Sequence, residues 1–154
     1  MTRLIASVAV LALIGACSPT DDPAADVVAA PVLSYTDAFV MEPIGARDMT
    51  MGGVTLSVDG GDVLLTGASS PSIGSIELHT MAMVDGRMQM RQVAGLELAD
   101  GETLELKRGG NHFMMFDVGE DVVGGETVDI TLNFETSGDP LTLVVEADVR
   151  VVGE

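Results

Sequence analysis

Both histidines of the chain and six of its ten methionines lie between residues 76 and 117. Imidazole and thioether groups without a carboxylate or a thiolate favour Cu(I) over Zn²⁺, Mg²⁺ or Ca²⁺. A single methionine on a strand is usually a flexible core residue, and a single histidine is usually held by structural hydrogen bonds. A packed core gives no reason to gather both residue types in one segment, so the clustering favours a metal site. The residues concerned are His79, Met81, Met83, Met88, Met90, His112, Met114 and Met115.

Several other functions are excluded by residues that the chain lacks. Its only cysteine, Cys17, is distant in sequence from both histidines, and a blue-copper electron-transfer site needs a cysteine ligand. We find no nucleophile motif, phosphate-binding loop or His-rich hydrolytic motif, so we expect that the protein is not an enzyme. With 24 acidic and 7 basic residues, the net charge of −17 argues against a surface that neutralises nucleic-acid phosphates.

A β-hairpin is predicted to position the first group of these residues. Asp85-Gly86 separates two segments of alternating polarity, which is a strong signal for a two-residue hairpin loop. That loop would place Met83 opposite Met88 and Met81 opposite Met90. His79 would lie one diagonal step from Met90, within reach of its side chain. The period of two in a strand puts these histidine and methionine residues on one face.

A second predicted strand, residues 111–117, carries the other histidine. Its alternation puts His112 and Met114 on one face and Phe113 and Met115 on the other. The two histidines and several methionines would converge if this strand lay beside the hairpin. The local pattern does not by itself establish that pairing.

The rest of the chain predicts a single all-β domain at residues 32–154. Alternation of apolar and polar residues is clearest from Val128 to Phe134 and from Leu141 to Val151, and Gly-containing turn signals recur along the chain. Eight or nine short strands at this spacing indicate a β-sandwich or a Greek-key β-barrel.

The N-terminal segment indicates export rather than a folded element. Residues 1–16 combine Arg3, an apolar run and small residues, as in a secretory signal peptide. Cys17 follows Leu-Ile-Gly-Ala, a string that resembles the bacterial lipoprotein cleavage box, in which the cysteine is lipidated. Residues 17–31 would then form a flexible linker between a membrane anchor and the domain. An ordinary signal peptide with an incidental cysteine is the alternative.

The spacing of four residues resembles that of a known family. His79, Met90, His112 and Met114 follow the pattern H-x10-M-x21-H-x-M. Together with the flanking strings Leu-His-Thr-Met, Met-Gln-Met-Arg and Gly-Gly-Asn-His, this pattern resembles the periplasmic PCuAC copper chaperones. The resemblance extends more weakly from about residue 38 to residue 149, and it is poor at residues 47–58.

This resemblance implies a cupredoxin-like β-barrel that binds one Cu(I) per chain at an exposed edge. The implied ligands are His79, Met90, His112 and Met114. Met81 matches a family methionine next to the site and is a candidate either for supporting the ligands or for transferring copper.

The resemblance also implies a role in the periplasm, where the protein would deliver copper to cuproenzymes. The implied acceptor is the cytochrome c oxidase subunit that carries the CuA centre, or else another copper carrier. Copper buffering or storage without a dedicated acceptor is an alternative. A structural β-sandwich lipoprotein that binds no metal is a further one, in which the methionines and histidines serve packing.

Overall fold

The computed structural model describes residues 30–45 and 47–153. Every regular element among these residues is a β-strand. The all-β prediction is therefore confirmed. The predicted signal peptide at residues 1–16, Cys17 and most of the predicted linker at residues 17–31 lie outside the described residues. The ten strands are β1 (Val32–Met41), β2 (Met49–Asp59), β3 (Val63–Ser70), β4 (Ile73–Val84), β5 (Arg87–Gln92), β6 (Leu96–Leu98), β7 (Thr103–Leu106), β8 (His112–Val118), β9 (Thr127–Thr136) and β10 (Leu141–Arg150).

The strand count exceeds the expected eight or nine because two strands are very short. Strands β6 and β7 contain three and four residues, too few for alternation to reveal them in the sequence. No helix among the described residues is long and apolar enough to cross a membrane.

Seven of the strands close into a barrel. They follow the order β4-β8-β2-β1-β10-β9-β3, and pairing of β3 with β4 completes the circle. Strand β5 pairs with β4, β6 with β3 and β7 with β2. Of the two architectures expected from the sequence, the structure is therefore the Greek-key-type barrel. Its first and last strands lie side by side in parallel.

Alternating residues of the strands fill the barrel interior. In β9, Val128, Ile130, Leu132 and Phe134 are buried, while Asp129 and Asn133 between them are exposed. Each fully buried side chain of this kind stabilises the fold by about 1.5–3 kcal/mol. The alternation predicted for β10 holds up to Val149 but not beyond, because β10 ends at Arg150 and Val151 is exposed.

The β4–β5 hairpin has the register predicted from its two loop residues. Asp85 and Gly86 have φ angles of 50° and 75°, the positive values that a type I′ turn requires. Met81 lies opposite Met90, as predicted, and the pairing continues towards the loop.

The outer part of this hairpin extends beyond the barrel wall. Strand β8 begins at His112, which lies opposite His79 on β4. Beyond His79, the strand pairings of the described residues join β4 to β5 alone. The residues from Thr80 to Arg91 therefore form a two-stranded ribbon at one end of the barrel.

Candidate functional site

Strand pairing brings the two histidines together on the outer face of the barrel. Strand β8 pairs with β4 so that His112 lies directly opposite His79, and the two ring centroids are 5.9 Å apart. The second predicted strand, β8, therefore does lie beside the hairpin, a pairing that the sequence alone did not establish. Phe113 and Met115 point from β8 into the core, as their alternation predicted.

The hydrogen bonds of His112 determine which ring nitrogen is free. Its side chain is only 5% exposed, and Nδ1–H donates to the carbonyl oxygen of Gly110 at 2.9 Å. Nε2 then carries a lone pair, and it lies 3.2 Å from the sulfur of Met90. Because the thioether also offers only lone pairs, no hydrogen lies between these two atoms. A cation that both atoms contact would make the arrangement favourable.

His79 has a complementary arrangement. Its Nε2–H donates to the Glu77 carboxylate at 2.9 Å. The other nitrogen, Nδ1, is buried and has no hydrogen-bond partner in the described structure. A buried polar atom without a partner costs stability, and metal coordination would satisfy it. A carboxylate that holds the distal nitrogen of a ligating histidine is a common feature of metal sites.

Met114 approaches the histidines from β8 and lies between strands β4 and β2. It is opposite Glu77 on one side and Met51 on the other. Met114, Met90 and His112 all line one cleft of about 330 Å³ on the outer face. His79 does not line this cleft, but its ring lies beside that of His112.

Met81 lies directly opposite Met90 and is half-buried. It is therefore next to the group formed by His79, Met90 and His112. Met83 and Met88 form the next pair towards the hairpin loop.

The sequence reasoning missed the contribution of β2 to this cleft. Met49 and Met51 line it, although the surrounding segment was the weakest part of the family resemblance. Alternation of Met49 and Met51 around Thr50 is a signal for a methionine-bearing face. What the sequence did not reveal is that β2 pairs with β8.

The cleft also contains positive charge in an otherwise acidic protein. Arg47 and Arg108 line it, together with Glu42. The ion pairs found among the described residues do not include either arginine.

The donor set at the site lacks the ligands that harder metal ions require. Among the described residues, no three His, Asp, Glu or Cys side chains are grouped so that they could hold a metal ion. What converges instead is two imidazoles and several thioethers. This chemistry suits a soft monovalent ion such as Cu(I).

Two comparisons relate this chain to known proteins, one through its sequence and one through its fold. The LpqE-like lipoprotein family matches residues 33–148. No protein of curated function matches the sequence.

Several solved structures share the fold. The copper-bound PCuAC domain from PmoF2 is 16% identical with a TM-score of 0.61, over 77% of this chain and 92% of that domain. Apo-DR1885 from Deinococcus radiodurans is 25% identical with a TM-score of 0.56, over 98% of this chain and 97% of its own. The Cu(I) form of DR1885 is 29% identical with a TM-score of 0.53, over 83% and 81%. The cupredoxin-like fold implied by the sequence resemblance is confirmed.

Proposed function

The chain belongs to the LpqE-like family, and we propose that it is an extracytoplasmic metallochaperone that binds one Cu(I). The proposed ligands are His79, Met90, His112 and Met114. Copper is bound here as cargo, and the protein is not an enzyme. The copper-bound PCuAC domain from PmoF2 and Cu(I)-DR1885, which share this fold, support the choice of metal.

The observation that carries the proposal is the state of the two imidazoles. Each has one nitrogen occupied by a hydrogen bond, to Gly110 for His112 and to Glu77 for His79. The other nitrogen of each is left with a lone pair, and that of His112 already lies against the sulfur of Met90. Two nitrogen donors and neighbouring thioethers are thus oriented before copper arrives, which lowers the cost of binding.

The same geometry suits release. Met90 is 48% exposed and lies at the outer end of the barrel. An acceptor can therefore approach from solvent and replace one thioether at a time. Thioethers also suit an oxidising compartment, where thiolate ligands would be lost to disulfides.

The proposed location rests on residues outside the described structure. Residues 1–16 would be removed as a signal peptide, Cys17 would carry the lipid, and residues 17–31 would link the anchor to the domain at residues 32–154. The name of the LpqE-like lipoprotein family supports this arrangement. The mature protein would then be anchored to a membrane in the periplasm.

The proposed acceptor is a cuproenzyme, namely the cytochrome c oxidase subunit that carries CuA, or another copper carrier. Met81 would assist transfer, because it lies opposite the ligand Met90. Delivery and storage differ in one measurable respect. A delivery protein loads the apo-acceptor with Cu(I) at a higher rate than a small-molecule Cu(I) chelate does. A storage protein shows no such increase in rate.

The test of metal binding is an anaerobic competition titration against a chromophoric Cu(I) chelator. We expect the protein to take up Cu(I) tightly, and His79→Ala and Met114→Ala to lower its affinity by about 100-fold or more. That is at least the effect of losing a partner that supports a ligand, typically about 10–100-fold. Met115→Leu is the control, because Met115 lies fully buried in the barrel interior and cannot contact copper. Unchanged affinity in both alanine variants would reject the ligand assignment.

A further inference from the structure

Four methionines form a ladder on one face of the β4–β5 hairpin. Met81 pairs with Met90, and Met83 pairs with Met88 nearer the loop. Only Met90 of the four is a proposed copper ligand. Met83 and Met88 are 64% and 51% exposed, the highest values among the exposed methionines of the described residues.

The register brings the paired sulfurs within reach of a common ion. The backbone N–H of Val93 donates to the carbonyl of Leu78, which marks that pair as hydrogen-bonded. Hydrogen-bonded and non-hydrogen-bonded pairs alternate along an antiparallel ladder, so both methionine pairs occupy non-hydrogen-bonded positions. Opposed Cα atoms there are about 4.5 Å apart and side chains are at their closest.

Packing does not account for these methionines. Met115, by comparison, is fully buried and fills the barrel interior. Met83 and Met88 lie on the ribbon that extends beyond the barrel, where burial contributes little stabilisation. Exposed strand positions are ordinarily occupied by polar or β-branched residues. What methionine adds at such positions is a soft sulfur donor that solvent can reach.

We propose that Met81, Met83 and Met88 form a second, weaker Cu(I) site that passes copper to or from the site at His79, Met90 and His112. The proposal rests on the proposed function, because Cu(I) is the ion that both sites share. Transfer is a ligand exchange in which copper stays Cu(I). A bond to Met90 forms as a bond to a hairpin thioether breaks, and no proton or electron moves.

The order of affinities follows from the donors. The site at His79, Met90 and His112 has two imidazoles, one of them buried, whereas the hairpin offers only neutral thioethers in contact with water. The hairpin site should therefore bind copper second and release it first. The Met81–Met90 pair joins the two, since one residue of the pair belongs to each site.

The experiment is an anaerobic Cu(I) titration followed through the ¹³C-labelled methionine methyl groups by NMR. All samples carry Cys17→Ser, which removes the only thiol of the chain. We expect the first equivalent to shift the Met90 and Met114 signals. A second equivalent should then shift Met83 and Met88.

A double variant, Met83→Leu with Met88→Leu, isolates the role of sulfur because leucine keeps the apolar surface. It should lose the second equivalent and retain the first. Met115→Leu is the control, because it removes a sulfur from the buried face of β8, where copper cannot reach it. The control should retain both equivalents.

The outcomes separate the two proposals. If the first equivalent shifts Met90 and Met114 and further copper shifts neither Met83 nor Met88, the hairpin site is wrong and the chaperone proposal stands. If copper shifts no methionine signal at all, the chaperone proposal fails and the hairpin site fails with it. If the double leucine variant still binds two equivalents, the second ion is held elsewhere and the hairpin site is wrong.

Discussion

The barrel interior and the outer face at β4, β5 and β8 use the same residue type in opposite ways. Met115 is fully buried in the core, whereas Met114, its neighbour in sequence, faces the outer cleft beside His112. In the interior the thioether fills space, and its sulfur has no task that carbon could not perform. On the outer face the sulfur lies among imidazole nitrogens with free lone pairs. The alternation of a single strand therefore separates a stabilising methionine from a candidate ligand.

The largest effect expected from this comparison is on stability. Met115→Ala should lower the free energy of unfolding by about 2–5 kcal/mol, because it leaves a cavity in a closed core. Met114→Ala should cost clearly less, because Met114 is only half-buried. Urea unfolding of the two apo-variants measures both values. Equal losses in the free energy of unfolding would show that both methionines contribute to packing alike, which would contradict the difference drawn between them.

The next effect is on copper affinity and concerns the support of His79. Glu77→Ala removes the carboxylate that accepts the Nε2–H of His79. Loss of such a partner typically lowers metal affinity about 10–100-fold. Glu77→Gln, which keeps an accepting oxygen, should restore most of that loss.

Glu105→Ala is the control for this prediction. Its carboxylate pairs with Lys107 rather than with a histidine, so copper affinity should not change. Chelator competition measures all three variants. Wild-type affinity in Glu77→Ala would mean that the carboxylate does not position the imidazole.

The smallest effect concerns the turn that sets the hairpin register. Gly86 has a φ of 75°, and a Cβ there would meet no other atom within 4 Å. The cost of Gly86→Ala is therefore conformational alone, about 1–2 kcal/mol for a left-handed residue. Gly86→Asn should cost less, since asparagine tolerates this region. Thermal unfolding distinguishes them, and equal stability of all three proteins would contradict a type I′ turn.

The parts of the site that depend on local sequence were predictable. The Asp85-Gly86 loop specifies the pairing of β4 with β5, because a two-residue turn leaves one register. Alternation likewise assigned Met114 and Met115 to opposite faces of β8. Glu77 could also have been found, since it lies two residues before His79 on the same face.

The parts that depend on long-range pairing were not predictable from local pattern. Pairing of β8 with β4 and with β2 joins segments far apart in sequence, and nothing in their alternation selects the partner. Met51 was missed for this reason. The ligand prediction came instead from the family resemblance, that is, from the spacing of four residues along the chain. Of these four, His79, Met90 and His112 lie close together in the structure.

The most direct test of the account is X-ray absorption at the copper edge of the Cys17→Ser protein loaded with one equivalent of Cu(I). The sulfur in the first coordination shell must then come from methionine. We predict two nitrogen and two sulfur scatterers, with one sulfur lost in Met114→Leu. A shell of nitrogen and oxygen alone, or a sulfur contribution unchanged in Met114→Leu, would contradict the assignment of the outer-face methionines as copper ligands.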